Sequence, residues 1–256
     1  MDIEPADNDD DATAAASSSS NTVPDDVQLP CGDHFHWECL LDSYEYSKCP
    51  HCSQPLTSHD ANTGQDKIVV DLHNEGGKQE GIDIAPILRE ESYLRAYPEE
   101  RKCRAFLEFC REGDHRAVAQ VLKSCDEADG HEEEDEDDEM EEDGGMSGTT
   151  KTRAEILRYQ DPINDMQSGL HAAAAGGHRE VAWMLLLLGS TLSEMEFPAL
   201  VFQEAAALGI MRDEDQTGLV DIRRLKDAHS RTAEDVARET GVVWRGWIGN
   251  GRLAMP

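Results

Sequence analysis

The stretch SGLHAAAAGGHREVAWMLLLLG, residues 168–189, contains an alanine-rich segment, a glycine pair and then a run of apolar residues. A similar pattern recurs along the chain. Gly177, Gly209 and Gly241 are 32 residues apart, and each follows an alanine by four positions. A period of about 33 residues, with a small residue inside a helix and a glycine at its end, is typical of stacked helix–turn–helix units. Small residues let neighbouring helices approach closely, and glycine supplies the left-handed backbone that ends a helix.

These units resemble ankyrin repeats. The best match is residues 161–189. There SGLHAAAAGGH takes the place of the usual Thr-Pro-Leu-His-x-Ala opening, and REVAWMLLLLG corresponds to the second helix. FLEFCREGDHRAVAQVLKSC at 106–125 resembles an earlier unit, and SRTAEDVARETG at 230–241 resembles a terminal one. The unit around Gly209 departs from the pattern, because MRDEDQTG makes a poor second helix. The resemblance implies a helical array that holds a protein target.

A second stretch, CGDHFHWECLLDSYEYSKCPHC at residues 31–52, holds four of the seven cysteines together with three histidines. Zinc binds thiolate and imidazole in tetrahedral sets of four, and the Cys49-x-x-Cys52 pair places two thiolates on one tight turn. Cys31 with His34, or with His36, can supply a second pair. Clustered cysteines in a chain without a visible secretory leader indicate metal ligation in a reducing compartment.

The 31–52 stretch resembles the second half of a RING zinc finger, with Leu-Pro-Cys-Gly at 29–32 and a closing Cys-Pro-x-Cys. For one zinc ion, the resemblance implies a ligand set of Cys31, Cys49, Cys52 and one of Asp33 and His34. It makes His36 and Cys39 half of a second zinc site. We favour His34 over Asp33, because imidazole suits zinc better than a lone carboxylate among thiolates.

Two departures from the RING pattern bear on activity. The opening Cys-x-x-Cys is absent from residues 1–30, so either the finger is degenerate or the true start lies upstream of Met1. The basic residue that many active RING fingers carry after the last cysteine is replaced by Ser53. The resemblance also implies a contact surface for a ubiquitin-conjugating enzyme, made of Leu29, Phe35, Trp37, Leu40 and Pro50.

The formal net charge is −31, and two segments carry most of it. Residues 1–30 hold eight acidic residues and residues 126–143 hold fourteen, and neither segment has a lysine or arginine. Such segments are typical of disordered chain. Duplex nucleic acid is an unfavourable partner, because phosphate contacts need a basic face. The sequence shows no stretch of about 20 apolar residues for a membrane span. Residues 1–30 also show no secretory leader, and for that reason we expect a cytoplasmic or nuclear protein.

The predicted fold is mainly α, a short ankyrin-repeat solenoid with a small zinc-stabilised RING-like α+β module and disordered acidic segments. In chain order the predicted parts are a disordered N-terminus (1–26), a truncated RING-like module (27–58), a connecting segment (59–101), a first ankyrin-like unit (102–125), a disordered acidic insert (126–150) and further ankyrin repeats (151–250).

Two functions fit this organisation. The first is a ubiquitin-protein ligase type of adaptor, in which the ankyrin repeats hold the target and the zinc module recruits the conjugating enzyme. The second is a non-enzymatic ankyrin scaffold whose degenerate finger is only structural. The sequence leaves open which of the two applies, and therefore whether the protein is an enzyme.

Overall fold

An antiparallel sheet is the framework of the first part of the chain. The strands are β1 (Asp26–Gln28), β2 (His34–His36), β3 (Ser58–His59), β4 (Asp66–Lys67), β5 (Val69–Asn74) and β6 (Gly77–Asp83). Four of them form one sheet in the order β2-β1-β5-β6, while β3 and β4 pair with each other. The computed structural model describes residues 26–43, 48–59, 66–129, 151–213, 216 and 218–255. The chain divides into two units, Met1–Leu88 and Arg89–Pro256.

Strand β1 and one tight turn define the pairing register of the sheet. Val27 of β1 lies opposite Phe35 of β2 and opposite Leu72 of β5. In the β5–β6 hairpin, Asn74 lies opposite Gly77, so only two residues form the loop. Gly77 has a φ of +102°, which a residue with a side chain rarely adopts. The short loop therefore sets the pairing from Leu72 to Gly77, and a bulge between Val70 and Leu72 shifts the register by one residue beyond it.

The core of the first unit is small and lies against the sheet. Helix α1 (Trp37–Ser43) follows β2 directly, and helix α2 (Ala85–Ala96) follows β6. The strands and the adjoining residues contribute Val27, Ile68 and Val70, and the helices contribute Leu40 and Leu88, all of them buried. Burial of one such side chain contributes roughly 1.5–3 kcal/mol.

The second unit is helical. Its α-helices after α2 are α3 (Arg101–Glu112), α4 (His115–Asp129), α5 (Arg153–Leu157), α6 (Gly169–Gly176), α7 (Arg179–Gly189), α8 (Ala199–Leu208) and α9 (Ala233–Thr240). Left-handed glycines end several of them, as at Gly177 (φ +76°) and Gly209 (φ +68°). Within the described residues, no helix combines the length and the apolar character needed to cross a bilayer.

Helix α6 is the centre of the second unit, because it contacts both α3 and α9. The approach to α3 is close: a Cβ atom at Gly169 would lie 2.8 Å from the ring of Phe106. On the other side, the indole Nε1 of Trp244 donates a hydrogen bond to the carbonyl oxygen of Ala174 at 2.8 Å. Small residues in α6 are therefore required by packing on its neighbours.

The expected fold class, a mainly α solenoid with a small zinc module, is wrong. The segment 59–101, taken as a connection, contributes β5 and β6, the two longest strands of the four-stranded sheet. Nor do the helices repeat regularly, because the described residues between Ile210 and Asp221 form no helix after α8. The reason is that β6, with the sequence GKQEGID, lacks an apolar alternation and becomes a strand by pairing with β5.

Most of the residues predicted to be disordered lie outside the described ones. Residues 1–25 and 130–150 belong to this group. At the edges of these segments, Asp26 begins β1, and residues 126–129 form the last part of α4.

A buried carboxylate fixes the loop before α6. Asp161 is fully buried, and its Oδ2 forms ion pairs with Arg104 and, at 2.8 Å, with Arg111, both on α3. Arg104 is itself buried and also pairs with Glu90 at 3.0 Å. Asp161 and Arg104 are both removed from water, so loss of the Asp161 carboxylate would take from Arg104 its one buried counter-charge.

We expect Asp161→Ala to destabilise the second unit by about 3–5 kcal/mol, because Arg104 would keep its burial and lose a buried counter-charge. The measurement is urea unfolding followed by helical circular dichroism. Glu239→Ala is the matched control, because it breaks an exposed pair with Arg231 at 3.1 Å and should leave the unfolding midpoint nearly unchanged. Equal midpoints for the two variants would contradict the prediction.

Candidate metal centre

The first half of the site is the turn that joins β1 to β2. The Gly32 N–H donates to the carbonyl oxygen of Leu29, and the Leu29 N–H donates to that of Asp33, each at 2.9 Å. Gly32 has a φ of +88°, so the chain reverses sharply at this point. The turn holds Cys31 and Asp33 beside each other.

The second half of the site is the loop with the Cys-Pro-His-Cys sequence. The Cys49 N–H donates to the carbonyl oxygen of Gln54 at 2.8 Å, and the Ser53 N–H donates to that of Cys49 at 2.9 Å. The Cys52 N–H points at the sulfur of Cys49, 3.5 Å away. This compact loop brings the two thiols to one side of the turn.

The two halves meet at a group of four side chains: Cys31, Asp33, Cys49 and Cys52. Their ligand atoms all lie within 4.8 Å of one another. The carboxylate is central, since Asp33 Oδ2 accepts hydrogen bonds from Cys31 Sγ at 3.3 Å and from Cys49 Sγ at 3.1 Å. Cys49 is buried and Cys52 is exposed. The four side chains could hold a metal ion.

The protonation states in this group follow from its hydrogen bonds. The thiols of Cys49, Cys52 and Cys31 donate to Asp33 and hold the pKa of its carboxyl well below the usual range. A backbone hydrogen bond at Gln54 lowers the pKa of Cys52, but Asp33, desolvation and the two neighbouring thiols outweigh it and raise that pKa to about 12. A metal ion would take the place of thiol protons.

The structure places Asp33, and not the favoured His34, among the three cysteines. His34 Nδ1 lies 2.8 Å from Asp26 Oδ2, and the ring is about half exposed. His36 lies in β2, where its Nδ1 accepts the Glu38 N–H at 3.3 Å, and Cys39 is exposed on α1. Among the described residues, none of these three joins a group with metal-ligand spacing.

The predicted contact surface for a conjugating enzyme is divided between core and surface. Leu29 and Leu40 are buried, with 3% and 1% of their surface exposed. Phe35 and Trp37 are half-buried and pack against the same core, and Pro50 is exposed. Only the last three side chains are therefore available to a partner.

His51 has a role that the sequence prediction did not assign. Its Nδ1 lies 3.1 Å from Asp33 Oδ1, whereas the thiols of Cys31 and Cys49 contact Oδ2. The sequence signal for His51 was its position between the two cysteines of the Cys-Pro-His-Cys sequence. For Asp33, the sequence signal was its position two residues after Cys31.

Asp33→Ala should reduce the affinity of the chain for zinc, used as the probe ion, by more than the roughly 10–100-fold typical of lost outer contacts. The physical reason is the loss of a direct oxygen ligand. His34→Ala is the matched control and should bind as the wild type does, since its ring pairs with Asp26. Chelator competition measures both affinities, and a larger loss in the His34 variant would refute this assignment.

No protein-family model matches this chain, and neither a curated protein nor a solved structure matches it. The function is therefore inferred from the geometry and chemistry of the site.

Proposed function

We propose that the protein is an intracellular protein-interaction adaptor whose first unit is stabilised by zinc. Cys31, Asp33, Cys49 and Cys52 would hold the ion, and the helical second unit would bind a protein target. The observation that carries the proposal is the convergence of three thiols and one carboxylate within 4.8 Å. Reduced thiols in such a group suit a reducing compartment.

The donor set fits zinc better than the other common cations. Calcium and magnesium select oxygen ligands, whereas zinc accepts thiolates together with a carboxylate. Ligand atoms of a tetrahedral zinc lie about 3.5–3.8 Å apart, given its bond lengths, and the distances of 3.1 and 3.3 Å from Asp33 to two sulfurs are close to that range. A zinc ion with four protein ligands has no open position and acts as a structural cross-link.

The small core of the first unit gives zinc a structural purpose. Ten buried residues make up this core in the described part of the chain. A core of this size rarely stabilises a unit without a disulfide, a metal or a partner. A cross-link between the turn at Cys31 and the loop at Cys49 would add the missing stability.

The second unit offers an apolar surface for a protein target. A groove of about 220 Å³ lies among α4, α7 and α8, with walls from Trp183, Met184, Pro198, Leu200, Val201 and Ala205. Leu200 is 68% exposed at this groove. His115 Nε2 and Glu204 Oε1, which lie 2.7 Å apart, add polar groups to its lining. Apolar grooves with polar edges are common sites of protein recognition.

Native mass spectrometry of the purified chain should find one zinc ion, and Cys49→Ser should abolish it. Removal of zinc by a chelator should speed hydrogen exchange in β1 and β5, because both strands depend on the cross-linked turns. Cys39→Ser is the matched control and should keep the zinc, since this exposed thiol is outside the group of four. A wild-type chain without zinc would contradict the proposal.

A ubiquitin-protein ligase type of adaptor is the second candidate function. It is favoured by the exposure of Pro50 on the Cys49–Cys52 loop and by the partial exposure of the aromatic side chains of Phe35 and Trp37. In this function the first unit would recruit a conjugating enzyme and orient its thioester towards a target on the second unit, so that catalysis is orientation. The ankyrin-type resemblance of the second unit remains a prediction that suits such target binding.

In a reconstituted assay with several conjugating enzymes, the ligase candidate should form ubiquitin chains. Pro50→Asp should lower the rate by roughly ten-fold or more, a loss of about 1.4 kcal/mol of transition-state stabilisation. The zinc content must be unchanged in this variant. Absence of transfer by the zinc-loaded wild type would exclude the ligase candidate and leave the non-enzymatic adaptor.

A further inference from the structure

The two oxygens of Asp33 face different partners. Oδ2 lies 3.3 Å from Cys31 Sγ and 3.1 Å from Cys49 Sγ, inside the group of thiols. Oδ1 lies 3.1 Å from Nδ1 of His51. One oxygen is therefore directed at the place of a metal ion, and the other is engaged by an imidazole.

The chemistry of the two groups decides which of them donates the hydrogen bond between His51 and Asp33. An ionised carboxylate can only accept hydrogen bonds, so Nδ1 of His51 must carry the proton and donate it. The His51 side chain is 77% exposed. Its backbone is nevertheless fixed, because His51 stands in the turn closed by the Ser53 N–H on the Cys49 carbonyl oxygen at 2.9 Å.

We propose that His51 is a positioning residue of the metal centre. Its Nδ1–H holds Oδ1 of Asp33 away from the metal, so that Asp33 supplies Oδ2 alone and the centre has three sulfurs and one oxygen. This inference rests on the proposed zinc site and assigns a residue that sets its coordination.

An aspartate carboxylate can adopt several orientations towards a metal ion. Without an outer partner, the Asp33 side chain can rotate and offer both oxygens to a cation or neither, since carboxylates bind metals through one oxygen or two. Outer hydrogen bonds remove that freedom, and their loss typically costs 10–100-fold in metal affinity. The N–H dipole also opposes the excess negative charge of three thiolates and a carboxylate around a divalent ion.

His51 also links the two halves of the site. Asp33 belongs to the turn after β1, and His51 belongs to the Cys49–Cys52 loop. The contact therefore joins the same two segments that a metal ion would join, from the outside of the centre. It can form before the ion arrives and so lowers the entropy lost on binding.

The test uses the full chain with Zn²⁺ and Co²⁺ as probe ions and compares His51→Ala with His51→Asn. The asparagine amide can place an N–H donor near the position of Nδ1, and alanine cannot. We expect His51→Ala to bind zinc roughly 10–100-fold more weakly than wild type and His51→Asn to restore most of the affinity. At saturating Co²⁺, the visible absorption band of the alanine variant should be weaker than that of the wild type, because the ion would have a higher coordination number. The asparagine variant should show the wild-type spectrum again.

Three outcomes would overturn the inference. One is a His51→Ala variant with wild-type zinc affinity and cobalt spectrum. Another is an asparagine variant that behaves as the alanine variant does. The third is a cobalt spectrum that indicates a nitrogen ligand in the wild type and no nitrogen ligand in His51→Ala. That result would make His51 a direct ligand. A wild-type chain that binds neither ion would instead refute the proposed zinc site.

Discussion

The hydrogen bonds of Asp33 are the constraint on which the arrangement of the first unit depends. This one carboxylate contacts thiols from two separate loops, Cys31 at 3.3 Å and Cys49 at 3.1 Å. The loops lead in turn to β2 of the four-stranded sheet and to the segment before β3, so their meeting point ties these two parts of the unit together. Since the core beneath it is small, a polar or metal-bound cluster at this point has more influence than it would in a larger domain.

The second unit depends on close backbone approach. Helix α6 lies against α3 and α9, and it can do so because Gly169 has no Cβ to meet the ring of Phe106. The buried carboxylate of Asp161 then ties the loop before α6 to two arginines of α3. Apolar packing brings these helices together, and the ion pairs select one register for them.

The proposed function assigns a different role to each of the two units. In the proposed function, a zinc cross-link would hold the residues of the Cys49–Cys52 loop in a fixed conformation, which suits recruitment of a partner. The apolar residues of the predicted contact surface divide between core and surface. Leu29 and Leu40 are buried and stabilise the unit, while Phe35 and Trp37 remain partly accessible. A larger helical unit with an apolar groove suits target binding.

The sequence by itself determined the local features, because these depend on neighbours along the chain: the tight turn between Cys49 and Cys52, and the left-handed helix end at Gly177. Only the tertiary structure decided the rest. Asp33 and His34 are adjacent, and the choice between them depends on where the Cys49 loop lies, a contact across 16 residues. Likewise, the polar strand β6 forms because β5 supplies its hydrogen bonds. Such partners are set by the packed chain, since spacing and composition specify local conformation and not long-range pairing.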